Sequence, residues 1–305
     1  MSDRLLPFMF EAADVRGAVV SLDAAWREVL SRRVYPLVVR SLLGEAFAAA
    51  ALLSSTLKFE GSMVLQAQAS GPAPAVRLLV VECSADLSMR AMAKLGDGLP
   101  DEALARSLAD LVGDGKLVIT LDPKDGQAAY QGVVALEGGQ LNLALEHYML
   151  HSEQLETRIW LAADDIRAAG LMIQKMPGAT DGLSKLAGGA GALASRWADA
   201  AILAATLRSA ELLTLAPREV LRRLFHEFDL RVFDERIARF RCSCSRERVA
   251  DMLRMLGRDE VQEILVEQGR VSVNCEFCDK SYPFDPIDAA RLFVAQAHNS
   301  AGLQH

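Results

Sequence analysis

RCSCSRERVADMLRMLGRDEVQEILVEQGRVSVNCEFC, residues 241–278, decides how the chain is read. It opens on a Cys-x-Cys, Cys242 and Cys244, and closes on a Cys-x-x-Cys, Cys275 and Cys278. Between them, Ser245 can cap a helix in which Val249, Met252, Leu253 and Leu256 recur at helical spacing, with Gly257 as its stop. Asp259 and Gln262 have capping-box spacing for a second helix, striped by Val261, Ile264 and Leu265 and ended by Gly269. Arg270 to Asn274 alternates as a strand and delivers Cys275. Zinc in a closed structural site takes four soft ligands in a tetrahedron, and each close pair supplies one edge. The expectation is one zinc ion per chain, held by Cys242, Cys244, Cys275 and Cys278.

A unit of about 60 residues has too little core to be robust alone. Four-thiolate zinc binding contributes roughly 10–16 kcal/mol of folding free energy in small peptides. The same sulfurs are oxidisable. A disulfide closes readily across Cys-x-x-Cys, whereas an extended Cys-x-Cys puts its α-carbons near the ~7 Å limit and needs a turn. Arg239, Arg241, Arg246 and Arg248 flank the first pair, and their charge is expected to favour thiolate. From the residues alone, a permanent zinc knob and a redox switch both stand. A nucleic-acid module is disfavoured, because Arg231 to His305 carries 11 Lys and Arg against 12 Asp and Glu. A thioredoxin-like site would place its Cys-x-x-Cys at a helix start after a strand, and here the motif ends the unit.

Upstream, residues 1–178 read as an α/β domain with an antiparallel sheet. AAWREVLSRR and the Ala-rich run from Val38 to Leu57 are helix formers. SMVLQAQASG, AVRLLVVECSA and DLSMRAMAKL read as consecutive strands, and DEALARSLADLVGDG as a helix. KLVITLD and AAYQGVVAL flank the turn Pro123 to Gly126. A helix from Leu141 to Gln154 precedes two strands, RIWLAA and AAGLMIQKM. Residues 179–231 form a helical linker. It starts from the Gly- and Ala-rich stretch 176–193, continues as the apolar helix LASRWADAAILAATLRSAELLTLAP and ends with PREVLRRLFHEF. The four-cysteine unit spans 232–295, and 296–305 is a tail. The fold class is α+β.

The whole chain has 305 residues, 51% hydrophobic and 24% charged, with net charge −7. That balance offers no general affinity for nucleic acid or an anionic membrane. MSDRLLPFMF lacks the apolar run of a signal peptide, and the apolar window from Leu42 to Ser54 contains Glu45 and is short for a span. A cytoplasmic protein is expected. In that compartment paired cysteines bind metal or do redox chemistry more often than they form staples.

Other residues read as structural. Cys83 lies on a strand and is expected as an inert core thiol. His147 and His151 sit four apart without a His-Glu-x-x-His pattern. His226 is expected to pack or hydrogen-bond, and Trp26, Trp160 and Trp197 to anchor cores. No Walker-type loop, Gly-x-Ser-x-Gly elbow or acid/base constellation is found, so no catalytic residue is assigned.

RCSCSRERV and CEFC, with the preceding LFHEFDLRVFD, resemble the 33-kilodalton heat-shock chaperonin family of bacteria. AYQGVVAL (129–136), HSEQLETRI (151–159) and AAGLMIQKMPG (168–178) extend the resemblance over nearly the whole chain, in order. The resemblance implies an ATP-independent, redox-regulated holdase chaperone. Zinc would sit on the four cysteines in the reduced, inactive form. Strong oxidants would give the disulfides Cys242–Cys244 and Cys275–Cys278, release zinc, unfold the zinc domain and linker, and favour a homodimer that binds unfolding clients. The competing expectation is a constitutive zinc-stabilised enzyme or nucleic-acid-binding module.

Overall fold

The computed structural model describes residues 3–11, 13–56, 60–70, 74–96, 108–113, 115–123, 128–136, 139–176 and 189–300. They divide into two compact units, Met1–Arg241 and Cys242–His305. The Gly-rich stretch 177–188, the turn at 124–126, the helix start at 101–107 and the tail 301–305 lie outside the described residues.

The first unit begins with a hairpin of β1 (Arg4–Phe10) and β2 (Val15–Leu22), followed by α1 (Ala24–Leu30) and α2 (Leu37–Ser54). A meander of β3 (Gly61–Gln68), β4 (Val76–Ser84) and β5 (Ser88–Leu95) follows, then α3 (Leu108–Val112). β6 (Lys116–Pro123) and β7 (Tyr130–Ala135) pair as the expected hairpin. After α4 (Leu141–His151), β8 (Thr157–Ala163) and β9 (Ala168–Lys175) form another. Then come α5 (Gly189–Ala204), α6 (Ser209–Thr214), α7 (Pro217–Phe225) and three short strands, β10 (Leu230–Val232), β11 (Arg236–Ile237) and β12 (Arg239–Phe240). One sheet runs β10-β1-β2-β9-β8, with β11 also on β1; the other runs β12-β5-β4-β3-β6-β7. Every pairing is antiparallel except β12 beside β5.

α2 lies between the sheets. Its Leu43, Phe47 and Leu52 share one buried cluster with Leu5, Val20 and Leu22 of the first sheet and Leu65 and Val81 of the second. The alanines at 46 and 48–51 are buried on every side of the helix, and such small side chains let two sheets close on it. A Cβ at Gly44 would overlap the Cβ of Ala163 and crowd the Trp26 ring, so the helix can approach β8 only with glycine there. α2 is long and apolar enough to cross a membrane by length and composition, and 72% of its apolar window is buried inside the protein. The short window read in the sequence thus belongs to an 18-residue helix, distinguished from a span by the sheets that cover it.

The first sheet is covered on its other face too, so β9 is buried along nearly its whole length. α5, α6 and α7 lie there, placing Trp197, Leu212, Leu224 and Phe225 against Phe8, Phe10, Leu171 and Ile173. Phe10 meets Phe225 and Phe228 edge-on, with centroids 5.1 and 5.2 Å apart. The continuous apolar helix expected over this region is interrupted between Ala204 and Ser209. Arg208 is extended, and its N–H donates to the Glu211 carboxylate at 3.0 Å to start α6. Glu219 does the same for Ala216 at 2.9 Å, with Pro217 opening α7 as expected. The helix expected to reach Gln154 ends at His151, and Gln154 takes a positive φ of 57°.

Residues 230–240 lead from α7 towards Cys242 as strands. β10 and β11 hang on β1, and β12 hangs on β5. Arg239 reinforces the last pairing through Asp86 at 2.6 Å and Ser88 Oγ at 3.2 Å.

Candidate metal centre

In the second unit, α8 (Arg246–Leu256) and α9 (Arg258–Gln268) precede a hairpin of β13 (Val271–Asn274) and β14 (Ser281–Phe284), and α10 (Pro286–Ser300) closes it. Leu253, Val261, Val271, Tyr282, Phe284 and Leu292 make its small core. Ser245 caps α8 as the sequence indicates, its Oγ accepting the Arg248 N–H at 3.2 Å. Asp259 does not cap α9. The helix already begins at Arg258, because Gly257, at φ 104°, both stops α8 and starts α9. Gly269 ends α9 in the left-handed region, at φ 73°.

These elements bring the two cysteine pairs together. Cys242 and Cys244 lie on the extended approach to α8. Cys275 and Cys278 lie on the turn between β13 and β14, where the Cys275 N–H donates to Lys280 O at 3.0 Å and the Asp279 N–H to Cys275 O at 2.8 Å. Asp279, at φ 58°, supplies the left-handed step that folds this knuckle back. All four Sγ atoms lie within 4.8 Å of one another. Cys242 and Cys275 are 3.6 Å apart at sulfur, and Cys244 and Cys278 3.4 Å. A zinc tetrahedron with ~2.3 Å bonds has sulfur–sulfur edges of about 3.8 Å. The donor set therefore fits a thiophilic metal ion, and all four residues are free cysteines at distances far beyond a disulfide bond.

The thiols differ in surroundings. Burial alone would raise Cys244, but the Tyr282 hydroxyl, 3.1 Å from its sulfur, and the neighbouring sulfurs hold it down at about 7. Burial pushes Cys278 up to about 12 against a backbone N–H bond from Lys280, and the neighbouring sulfurs add to the rise. The leading influences on Cys244 are burial, the Tyr282 hydroxyl and the other three sulfurs, so the flanking arginines are not what chiefly sets it. Arg246 is committed to Asp288 and Pro283 O, both at 2.6 Å, and stacks over the Phe284 ring. Arg248 donates to Ser243 Oγ at 2.8 Å, and Arg239 to Asp86. Tyr282 is the residue sequence reasoning missed. Alternation of Tyr282 and Phe284 with exposed Ser281 and Pro283 is the signal that would have found it.

The remaining candidates stand apart from the cluster. Cys83 is fully buried on β4, and burial pushes its thiol up to about 12. His147 and His151 stack on the exposed side of α4, centroids 3.9 Å apart. His226 is exposed with Glu227 3.9 Å away, so the packed role expected of it is not found. Trp26 is in the core and donates to Asp164 O at 2.7 Å; Trp197 is buried and Trp160 half-buried.

The family model described as Hsp33 protein matches residues 3–285. A 33 kDa chaperonin from Methylobacillus flagellatus is 45% identical over 297 residues, which is 97% of this chain and 96% of the relative. A 33 kDa chaperonin from Chromobacterium violaceum is 44% identical over 292 residues, 95% of this chain and 94% of the relative. The crystal structure of the Thermotoga maritima 33 kDa chaperonin superimposes with a TM-score of 0.80 at 21% identity, over 97% of this chain and 99% of that one, and shows the same fold. The chain, four-sulfur cluster included, belongs to the Hsp33 family.

Proposed function

We propose that this protein is a redox-regulated, ATP-independent holdase chaperone of the cytoplasm, switched on when its zinc-binding cysteines are oxidised. The observation that carries this reading is the gathering of four free sulfurs within 4.8 Å in a chain of the Hsp33 family. Zinc, when bound, would fix Cys242, Cys244, Cys275 and Cys278 as thiolates and contribute roughly 10–16 kcal/mol to folding the unit around them. The small core of that unit makes such a contribution decisive.

Oxidation follows ordinary thiol chemistry. One thiolate of a pair attacks a peroxide oxygen, becoming a sulfenic acid and releasing hydroxide. The second thiolate attacks that sulfur, closes the disulfide and expels a second hydroxide. Two electrons pass to peroxide per pair, and two protons turn the hydroxides into water. A disulfide sulfur carries no negative charge and ligates poorly, so two such events leave a metal without donors. Sulfur–sulfur contacts of 3.6 and 3.4 Å run across the pairs, but all edges of a tetrahedron are alike and do not select partners. Once the unit loosens, Cys242 stays tethered to Cys244, and Cys275 to Cys278, by one and two residues, which favours those disulfides.

The route to client binding runs through residues 230–240. Three strands of three, two and two residues are marginal holders of anything once the chain beyond them unfolds. As they fray, α5–α7 can lift from the first sheet and present Phe8, Phe10 and Phe225, an apolar surface of the kind that captures unfolding polypeptides or a second copy of the chain.

The test is suppression of light scattering by a thermally unfolding client, without ATP. Protein treated with peroxide at mild heat should suppress aggregation, and reduced zinc-loaded protein should not. Equal suppression by both forms, or none by the oxidised form, sinks the proposal.

A further inference from the structure

We infer that Tyr282 is a positioning residue of the thiolate cluster, whose hydroxyl donates to Cys244 Sγ and sets how readily that sulfur reacts with an oxidant. The inference rests on the metal and oxidation reading above.

Three observations carry it. The hydroxyl lies 3.1 Å from Cys244 Sγ, and Tyr282 as a residue is 4% exposed, its ring packed in the core of the unit. The hairpin register fixes the ring: Tyr282 on β14 faces Val273 on β13, two residues before Cys275, so the hairpin that presents one cysteine pair also carries the donor that reaches the other. Lys280, whose ammonium lies 5.2 Å over the Tyr282 ring, also gives its backbone N–H to Cys278. The 3.4 Å pair Cys244 and Cys278 is thus held by one donor on each sulfur, both supplied by residues 280–282.

A hydrogen bond to a thiolate takes electron density from the lone pair that must attack peroxide, as outer-shell donors do at metal sites generally. Tyr282 would therefore act as a brake on oxidation, separate from the packing done by its ring.

Tyr282→Phe separates the two roles, because it keeps the ring and removes only the hydroxyl. Full-length zinc-loaded protein, wild type and variant, would be mixed with peroxide and zinc release followed with a chromogenic chelator. The variant is expected to release zinc about fivefold faster, the kinetic equivalent of one hydrogen bond. In cobalt-substituted protein the thiolate-to-metal charge-transfer band should move to lower energy, which a purely structural role would not produce. Unchanged release rate and unchanged band overturn the inference, and so does a variant that takes up no cobalt, since the ring and hydroxyl would then serve folding. If wild type itself keeps its zinc in peroxide, the switch reading fails, while the cobalt spectra still decide the part played by Tyr282.

Discussion

Cys83 and Cys244 show how surroundings alone divide one residue type between two roles. Sealed inside β4, Cys83 is held as a neutral thiol. Half-buried on the approach to α8, with a phenol donor and other sulfurs near, Cys244 is held down at about 7. The cluster was legible from the sequence because its four members sit in two tight pairs whose spacing has few other uses. Alternation marks Tyr282 as inward-facing, but nothing in the sequence ties it to Cys244, which it reaches only through the β13–β14 register. Three of the flanking arginines, Arg239, Arg246 and Arg248, have cysteines close in sequence, but their side chains bond Asp86, Asp288, Pro283 and Ser243 in space. Removing one ligand tests the cluster at this scale. Cys278→Ser should weaken zinc retention by more than ~100-fold, beyond the effect of losing an outer-shell partner. Competition with a chelator measures it, and wild-type retention would mean that the sulfurs do not share an ion.

Among the elements, α2 carries a testable oddity. Glu45 lines a cavity of about 460 Å³ with Ser41, Asn142, Trp160 and Arg208. Burial pushes its carboxyl up to about 7. The folded chain therefore keeps a proton that the unfolded chain gives up near the ordinary carboxylate value. Stability is unaffected at low pH and falls as pH rises from about 4.5 through 7, by on the order of 3 kcal/mol. Glu45→Gln should remove that loss, so the variant should outlast wild type in denaturant at pH 8 and approach it as pH falls towards 5. A gap independent of pH would show that the carboxyl is not buried as described. The helix itself was readable from its alanines, whereas its place between two sheets was not, since an all-round apolar helix does not say what covers it. In the linker, helix propensity ran on through Thr206 and Leu207, and local geometry at Arg208 and Glu211 broke it.

At the scale of the molecule, local hairpins such as β3–β4–β5 and β8–β9 were legible from alternation and turns. The pairings of β10 and β11 with β1, and of β12 with β5, were not, because strands of two or three residues carry no periodicity and their partners lie more than a hundred residues away. Those pairings matter most to the proposed switch, because they tie the segment before Cys242 to both sheets, β10 and β11 to the one that α5–α7 cover and β12 to the other. Amide hydrogen exchange, read on reduced zinc-loaded protein and again after peroxide has released the metal, tests that link most directly. The account predicts that α8, α9, β10–β12 and α5–α7 lose protection together while α2 and β2–β9 keep theirs. Undiminished protection of α5–α7 in oxidised, zinc-free protein that binds clients would contradict it.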